Sequence, residues 1–139
     1  MSDQKNVSFF LRSNAEKKKE VISYAPSNRF KDEDGNPVSF VLRLLTGPEI
    51  SKIQNDAVII DGDGADFNSE KFIADIMTKC VVYPNLKDAE LQDSYQVLTE
   101  KDLLAAMLEG GEYQRLAKKC QEINGLRDDL NDLKVKAKN

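Results

Sequence analysis

Val38-Ser39-Phe40-Val41-Leu42-Arg43-Leu44-Leu45-Thr46-Gly47-Pro48-Glu49-Ile50 carries the chain from strand into helix without a linker. The first part alternates. Val38, Phe40, Leu42 and Leu44 fall on one face, and Ser39, Val41, Arg43 and Leu45 on the other, which is the period of two that a pleated strand imposes. The second part is a helix start. Thr46 is a capping residue, Pro48 sits in the first turn where no amide donor is missed, and Glu49 stands three places past the cap, as a capping box requires. The helix that follows carries Ile50 and Ile53 inward and is short.

Upstream, Asp32-Glu33-Asp34-Gly35-Asn36-Pro37 is a dense turn signal. Val21 to Tyr24 and Phe30 are strand-like, with Pro26-Ser27-Asn28 between them. Residues 21–45 therefore read as a β-hairpin around the Asp34-Gly35 turn. Residues 1–8 are polar and read as a flexible N-terminus. Phe9-Phe10-Leu11 then breaks out as an apolar knot, and Ser13-Asn14-Ala15-Glu16 has the form of a capping box. The run Lys17-Lys18-Lys19 reads as a solvated face in preference to a phosphate contact. Three large apolar side chains in a polar arm must dock either on their own domain or on a neighbour. Phe9, Phe10 and Leu11 are accordingly the candidate contacts with a partner or with another copy.

Downstream, Ala57-Val58-Ile59-Ile60 fits either a continued helix or a brief strand. Asp61-Gly62-Asp63-Gly64-Ala65-Asp66 invites a calcium reading. An EF-hand loop counted from Asp61 needs an oxygen ligand at its fifth place, glycine at its sixth and glutamate at its twelfth. Ala65, Asp66 and Phe72 stand there, so the segment reads as an acidic turn and no metal is expected. From Ser69, the residues Phe72, Ile73, Ile76, Met77 and Cys80 share a helical face. Val81-Val82-Tyr83 leads to Pro84, read as the end of that helix, and Asn85 is the expected cap of the next, which carries Leu86, Ala89 and Leu91. Thr99 to Asp102 approximates a capping box ahead of Leu103, Leu104, Met107 and Leu108, with Gly110-Gly111 as the expected stop. From Glu112, the residues Tyr113, Leu116, Ala117, Cys120 and Ile123 recur at helical spacing before an Asn124-Gly125 stop. Residues 126–139 are charged and read as a mobile tail, although Leu126, Leu130 and Leu133 keep helical spacing.

The expected organisation is a flexible N-terminus (1–8), one domain (9–125) and the tail (126–139). The expected class is α+β: an N-terminal β-hairpin packed with a bundle of four or five short α-helices.

Composition narrows function. With no histidine, no Ser-His-Asp or Cys-His pair, no histidine-ligated zinc and no imidazole relay can form. Charged residues at 32% and apolar residues at 40% describe a globular chain, and a net charge of −4 argues against a nucleic-acid partner. Cys80 and Cys120, forty positions apart, read as reduced core thiols. Val7 to Leu11 is too short for a signal-peptide core, and no apolar run approaches a membrane span. Phosphate loops, paired catalytic carboxylates and aromatic–basic stacking platforms are not evident. The reading is a binding or assembly protein, neither an enzyme nor a cofactor carrier.

Several of these pieces together resemble a known family. Phe40 to Leu45 followed by Thr46-Gly47-Pro48-Glu49-Ile50 is similar to the strand-to-helix module of XkdN-like phage tail assembly chaperones. Val81-Val82-Tyr83-Pro84-Asn85-Leu86, Asp88 to Tyr95, Leu103-Leu104 to Met107-Leu108, and Gly111-Glu112-Tyr113 with Leu116 resemble its C-terminal half. Phe9-Phe10-Leu11 to Asn14 resembles its opening, and Arg29-Phe30 with the Asp34-Gly35 turn resembles its hairpin. The resemblance spans about residues 9–125. It implies a protein that acts in the host bacterial cytoplasm and stays out of the mature virion. Its implied partners are the tape measure protein, which it binds, and tail tube protein, which it helps recruit, with a homo-oligomer as a further candidate. The alternative in the same setting is a head–tail completion or other phage structural protein.

Overall fold

Thr46 closes the capping box that its sequence announces. In the computed structural model, which describes residues 6–17 and 19–126, the Glu49 amide donates to Thr46 Oγ1 at 3.3 Å and the Thr46 amide to Glu49 Oε1 at 2.9 Å. This heads α1 (Gly47–Asp56). Arg43, last residue of the preceding strand, donates to both Glu49 carboxylate oxygens at 3.1 and 2.6 Å. One glutamate thus ties strand exit to helix entry. The Arg43 guanidinium, with help from the Thr46 amide, holds the Glu49 carboxyl at about 2.

That strand is β2 (Phe40–Arg43), shorter than its alternation suggested, and it pairs antiparallel with β1 (Val21–Tyr24) in the register Val21↔Arg43 to Tyr24↔Phe40. The hairpin expected over 21–45 is present. Its turn is organised by Asp32, whose carboxylate accepts from the amides of Asp34 and Asn36, both at 2.9 Å. Gly35 has φ +84°, a left-handed conformation that residues with a Cβ rarely adopt. Phe40 and Leu42 are buried while Val41 and Arg43 are only partly so, as the alternation required.

The chain then forms a second hairpin, β3 (Val58–Asp61) with β4 (Gly64–Phe67), followed by α2 (Ser69–Cys80) under an Asn68 cap. The choice left open at Ala57 to Ile60 falls to strand. Helix α2 ends at Cys80, not at Pro84. Val81–Tyr83 is itself a strand, β5, which pairs antiparallel with the free edge of β2 and completes a three-stranded sheet of order β1-β2-β5.

Three short helices follow: α3 (Ala89–Ser94), α4 (Glu100–Met107) and α5 (Gly110–Ile123), making five among the described residues. The fold is α+β with an N-terminal hairpin, as expected. Two caps differ from the sequence reading. Asp88 caps α3, accepting from the Leu91 amide at 2.9 Å, while Asn85 makes a separate turn with Lys87. Gly110 and Gly111 do not stop α4, which ends in extended Leu108. They open α5 instead, where Glu112 accepts from the Glu109 amide at 2.9 Å. Glycine at a helix start costs little, because the first turn has free amides in any residue.

The core lies between the sheet and the helices. Leu42, Ile76, Met77, Cys80, Leu103, Leu104, Leu116 and Cys120 are essentially sealed from solvent. Asp75 on α2 bridges Lys71 (2.8 Å) and Lys101 on α4 (2.6 Å), linking the two helices at their rim. Cys80 and Cys120 are free thiols in this core, as the sequence reading had them. Cys80 donates to the Arg43 carbonyl at 3.1 Å. The neighbouring Cys80 thiol and burial together push the Cys120 thiol far above its ordinary range. At the end of α5, Asn124 accepts from the Leu45 amide at 2.8 Å and donates to the Cys120 carbonyl at 2.8 Å, so the helix stop also fastens the end of the sheet.

Candidate protein-binding surfaces

Hairpin β3–β4 leaves the core behind. All eight of its strand residues are exposed, Ile60 to 82%. Its turn spans Gly62-Asp63, with Asp61 paired to Gly64 and Gly62 at φ +57°, the arrangement of a two-residue hairpin loop with glycine first. This accounts for the acidic segment that failed the calcium template: it is a strand reversal. The base is fixed by buried Ala57, whose carbonyl accepts from the Asn68 amide at 2.8 Å, and by Phe67, whose ring lies 5.6 Å from that of Phe72. Beyond this base, Val58, Ile59 and Ile60 stand in solvent beside Asp61, Asp63 and Asp66. No cation occurs between Ala57 and Asn68.

A second exposed apolar set lies where the sequence placed one. Val7–Phe10 is a turn of 3-10 helix capped by Asn6, which accepts from the Ser8 amide at 2.9 Å. It falls partly within the stretch read as flexible. Ser13 to Glu16 starts no helix. The amides of Asn14 and Ala15 donate to the Leu11 carbonyl at 2.9 and 3.1 Å, and Asn14 Nδ2 to the Ser8 carbonyl at 2.6 Å, so the segment folds back on itself. Polar groups knit the turn from within, and its apolar side chains are left outside. Val7, Phe9, Phe10 and Leu11 are all exposed, Phe10 to 81%. Arg12, Lys17 and Lys19 follow on the exposed chain. The tail read over 126–139 lies, apart from Leu126, outside the described residues.

The open edge of β5 borders a third feature, a cleft of about 930 Å³ lined among others by Arg43, Lys79, Val82, Lys87, Leu98 and Lys101. Two of its cations are already engaged, Arg43 with Glu49 and Lys101 with Asp75. Glu100 and Asp102 balance the remainder. Nothing in this lining converges on a reacting atom. Among the described residues, no three of Cys, Asp and Glu stand close enough to hold a metal ion.

The sequence reading missed a polar clamp behind these surfaces. Arg29, in the loop between β1 and β2, donates through Nη2 to the Met107 carbonyl at 2.7 Å and through Nε to Glu112 Oε2 at 3.1 Å. Its Nη2 also bonds Glu112 Oε1. The fork holds the first hairpin against the α4–α5 junction. Hydrogen bonds from Arg29, then Ser27 and the Glu109 amide, hold the Glu112 carboxyl at about 2. A glutamate three places after Glu109 was the one local sign, and its partner lies 83 residues away.

The features assembled here define a small α+β protein with a sealed core and exposed apolar elements suited to contact with other proteins. The family described as phage XkdN-like tail assembly chaperone matches residues 7–138, and the chain belongs to it. It is 33% identical to the uncharacterised protein YqbN of Bacillus subtilis (strain 168) over the whole of both chains. It is 31% identical to the phage-like element PBSX protein XkdN of the same strain, over 96% of this chain and 94% of that one. The crystal structure of YqbN superposes with a TM-score of 0.73 at 29% identity, covering 86% of this chain and 96% of the other. Among the described residues, no helix is long and apolar enough to cross a membrane.

Proposed function

We propose that this chain acts in the host cytoplasm during tail morphogenesis, binding the tape measure protein and helping to recruit tail tube subunits, and that it does no chemistry itself. The observation that carries the reading is the pairing of a closed core with two exposed apolar elements, the Val7–Leu11 turn and the β3–β4 hairpin, on a chain of net charge −4. A protein that shields a long, self-associating partner must offer apolar surface, and surplus like charge keeps it dissolved while it does so. Membership of the chaperone family supports the reading at the level of tail assembly; the choice of partners is inferred from the apolar surface and from the resemblance described above.

Co-expression with the tape measure protein of the same phage or prophage tests it. The partner should stay soluble and co-purify with this chain. Equal precipitation with and without the chain would end the proposal. Mass spectrometry of purified virions separates the head–tail completion alternative, which requires the chain to be present in stoichiometric amount.

A further inference from the structure

We propose that the free edge of β5 takes an extended segment of another protein as a fourth strand of the β1-β2-β5 sheet. That segment carries acidic or apolar side chains on one side and basic ones on the other. In the sheet order β5 pairs only with β2, so its outer edge offers amides and carbonyls to an incoming strand. Val82 is 45% and Tyr83 54% exposed, and these consecutive residues open on different hollows. Val82 lines the cleft of about 930 Å³ together with Leu98, which is 89% exposed. Tyr83 lines a smaller hollow of about 440 Å³ with Pro84, Leu91, Asp88 and Glu90. A bound strand turns successive side chains to opposite sides, and each side would meet one of the two.

Charge tells the sides apart. Lys79 and Lys87 flank β5 in the chain and line the cleft. Among the described residues neither is in an ion pair. The carboxylates of the cleft, Glu100 and Asp102, belong to the first turn of α4, where open helix amides favour them. A side chain entering the cleft beside β5 is therefore best acidic, or apolar against Val82 and Leu98. Among the described residues no cation lines the smaller hollow. The side chain entering it is best basic, with its charge near Asp88 and Glu90 and its stem along Tyr83. A second copy is a poor occupant. A two-fold contact of edge with edge would set Lys79 and Lys87 against the same lysines. The pairing with β2 also skips Val82, a bulge of the kind that blunts indiscriminate edge pairing. The guest is thus a foreign strand with matching side chains. The contact needs neither the Val7–Leu11 turn nor the β3–β4 hairpin, so it and the chaperone reading can fail independently.

The test titrates the isotope-labelled full chain with a short blocked peptide, followed by amide NMR shifts. Its residues alternate, glutamate or leucine on one side and arginine or valine on the other. One control mixes the acids and bases on both sides. A second is the patterned peptide N-methylated at every residue, which keeps the side chains and removes every pairing donor. The patterned peptide should bind, with the largest shifts at Val82, Tyr83 and Leu98, and both controls should bind more weakly by about tenfold or more. K79E/K87E changes only exposed side chains, so it should fold, which circular dichroism checks, and should weaken binding by about tenfold. I60K, on the distant chaperone surface, should bind as wild type does. The proposal is overturned if the patterned peptide causes no shift at millimolar concentration, or if its shifts gather on β1 or on β3–β4. Equal binding of either control, or wild-type affinity in K79E/K87E, would overturn it as well.

Discussion

Hairpins β1–β2 and β3–β4 are built alike, four residues paired with four in an antiparallel register, and they meet opposite environments. The first buries Phe40 and Leu42, gains β5 along its free edge and is clamped by Arg29 to the helices. The second is exposed on both faces and is held only at its base. The difference shows that strand pairing alone does not place a hairpin in a core. In β2 the sealed Phe40 and Leu42 alternate with the half-buried Val41 and Arg43, so one face can be closed while the other stays partly open. In Val58-Ile59-Ile60 the apolar residues are consecutive, so no face of β3 is both apolar and complete. Within a single chain that pattern has no burial that satisfies it, and it suits a contact supplied from outside.

The sharpest way to break this comparison is to truncate one apolar side chain in each hairpin. Leu42→Ala should cost about 2–5 kcal/mol in denaturant unfolding, because the side chain is sealed and a cavity remains. Ile60→Ala should stay within about 0.5 kcal/mol, as expected of a surface change. Equal losses would mean that the second hairpin is core after all.

Acid should separate the hairpins next. The Glu112 carboxyl is held at about 2, below its ordinary value of 4.5. A carboxyl whose folded value is lowered contributes stability that is present above the unfolded value and lost as pH falls through the folded one. Thermal stability should therefore decline as pH drops from 4.5 toward about 2, with Glu49, also at about 2, contributing in the same direction. Glu112→Gln should be less stable at neutral pH and show a shallower acid decline. If the decline is unchanged, the Arg29 clamp on the first hairpin contributes nothing measurable.

A smaller loss is expected at the junction between the hairpins. Thr46→Ala removes the cap of α1 and half of a capping box, and should cost about 1 kcal/mol, with 0.5–2 the usual range. The smallest global effect should come from Gly62→Ala. At φ +57° a Cβ is strained, yet nothing lies within 4 Å of it. Amide exchange in Val58 to Phe67 should accelerate several-fold while the midpoint of global unfolding barely moves. A concerted fall in the midpoint would tie the second hairpin to the cooperative core.

The elements that could be read early are those whose reason is local. The Thr46 box, the Asp32-to-Gly35 turn, the inward stripes of α2 and α5 and the Asn124-Gly125 stop each rest on residues within one or two turns of one another. The same holds for Phe9, Phe10 and Leu11, singled out as apolar residues in a polar arm; the structure leaves them exposed, and the function proposed above gives them a partner. Local reasoning also went astray at adjacent positions of equal promise. Asn85 and Asp88 both suit a cap, and Asp88 has it. Gly110-Gly111 serves a helix stop or a helix start with equal ease, and the Glu109–Glu112 contact decides for the start.

The sequence by itself determined the α+β class, the first hairpin and most helix faces, because the 2.0 and 3.6 periods and the caps act over a few residues. It also determined that no histidine chemistry is available. Only the tertiary structure decided that Val81–Tyr83 is a strand, since its pairing partner lies some forty residues back across four elements, and that Arg29 and Glu112 meet. Only the tertiary structure, too, left Val58 to Phe67 outside the core. Apolar residues carry no label for where they are buried; that depends on which surfaces remain free once the sheet and helices have closed on each other.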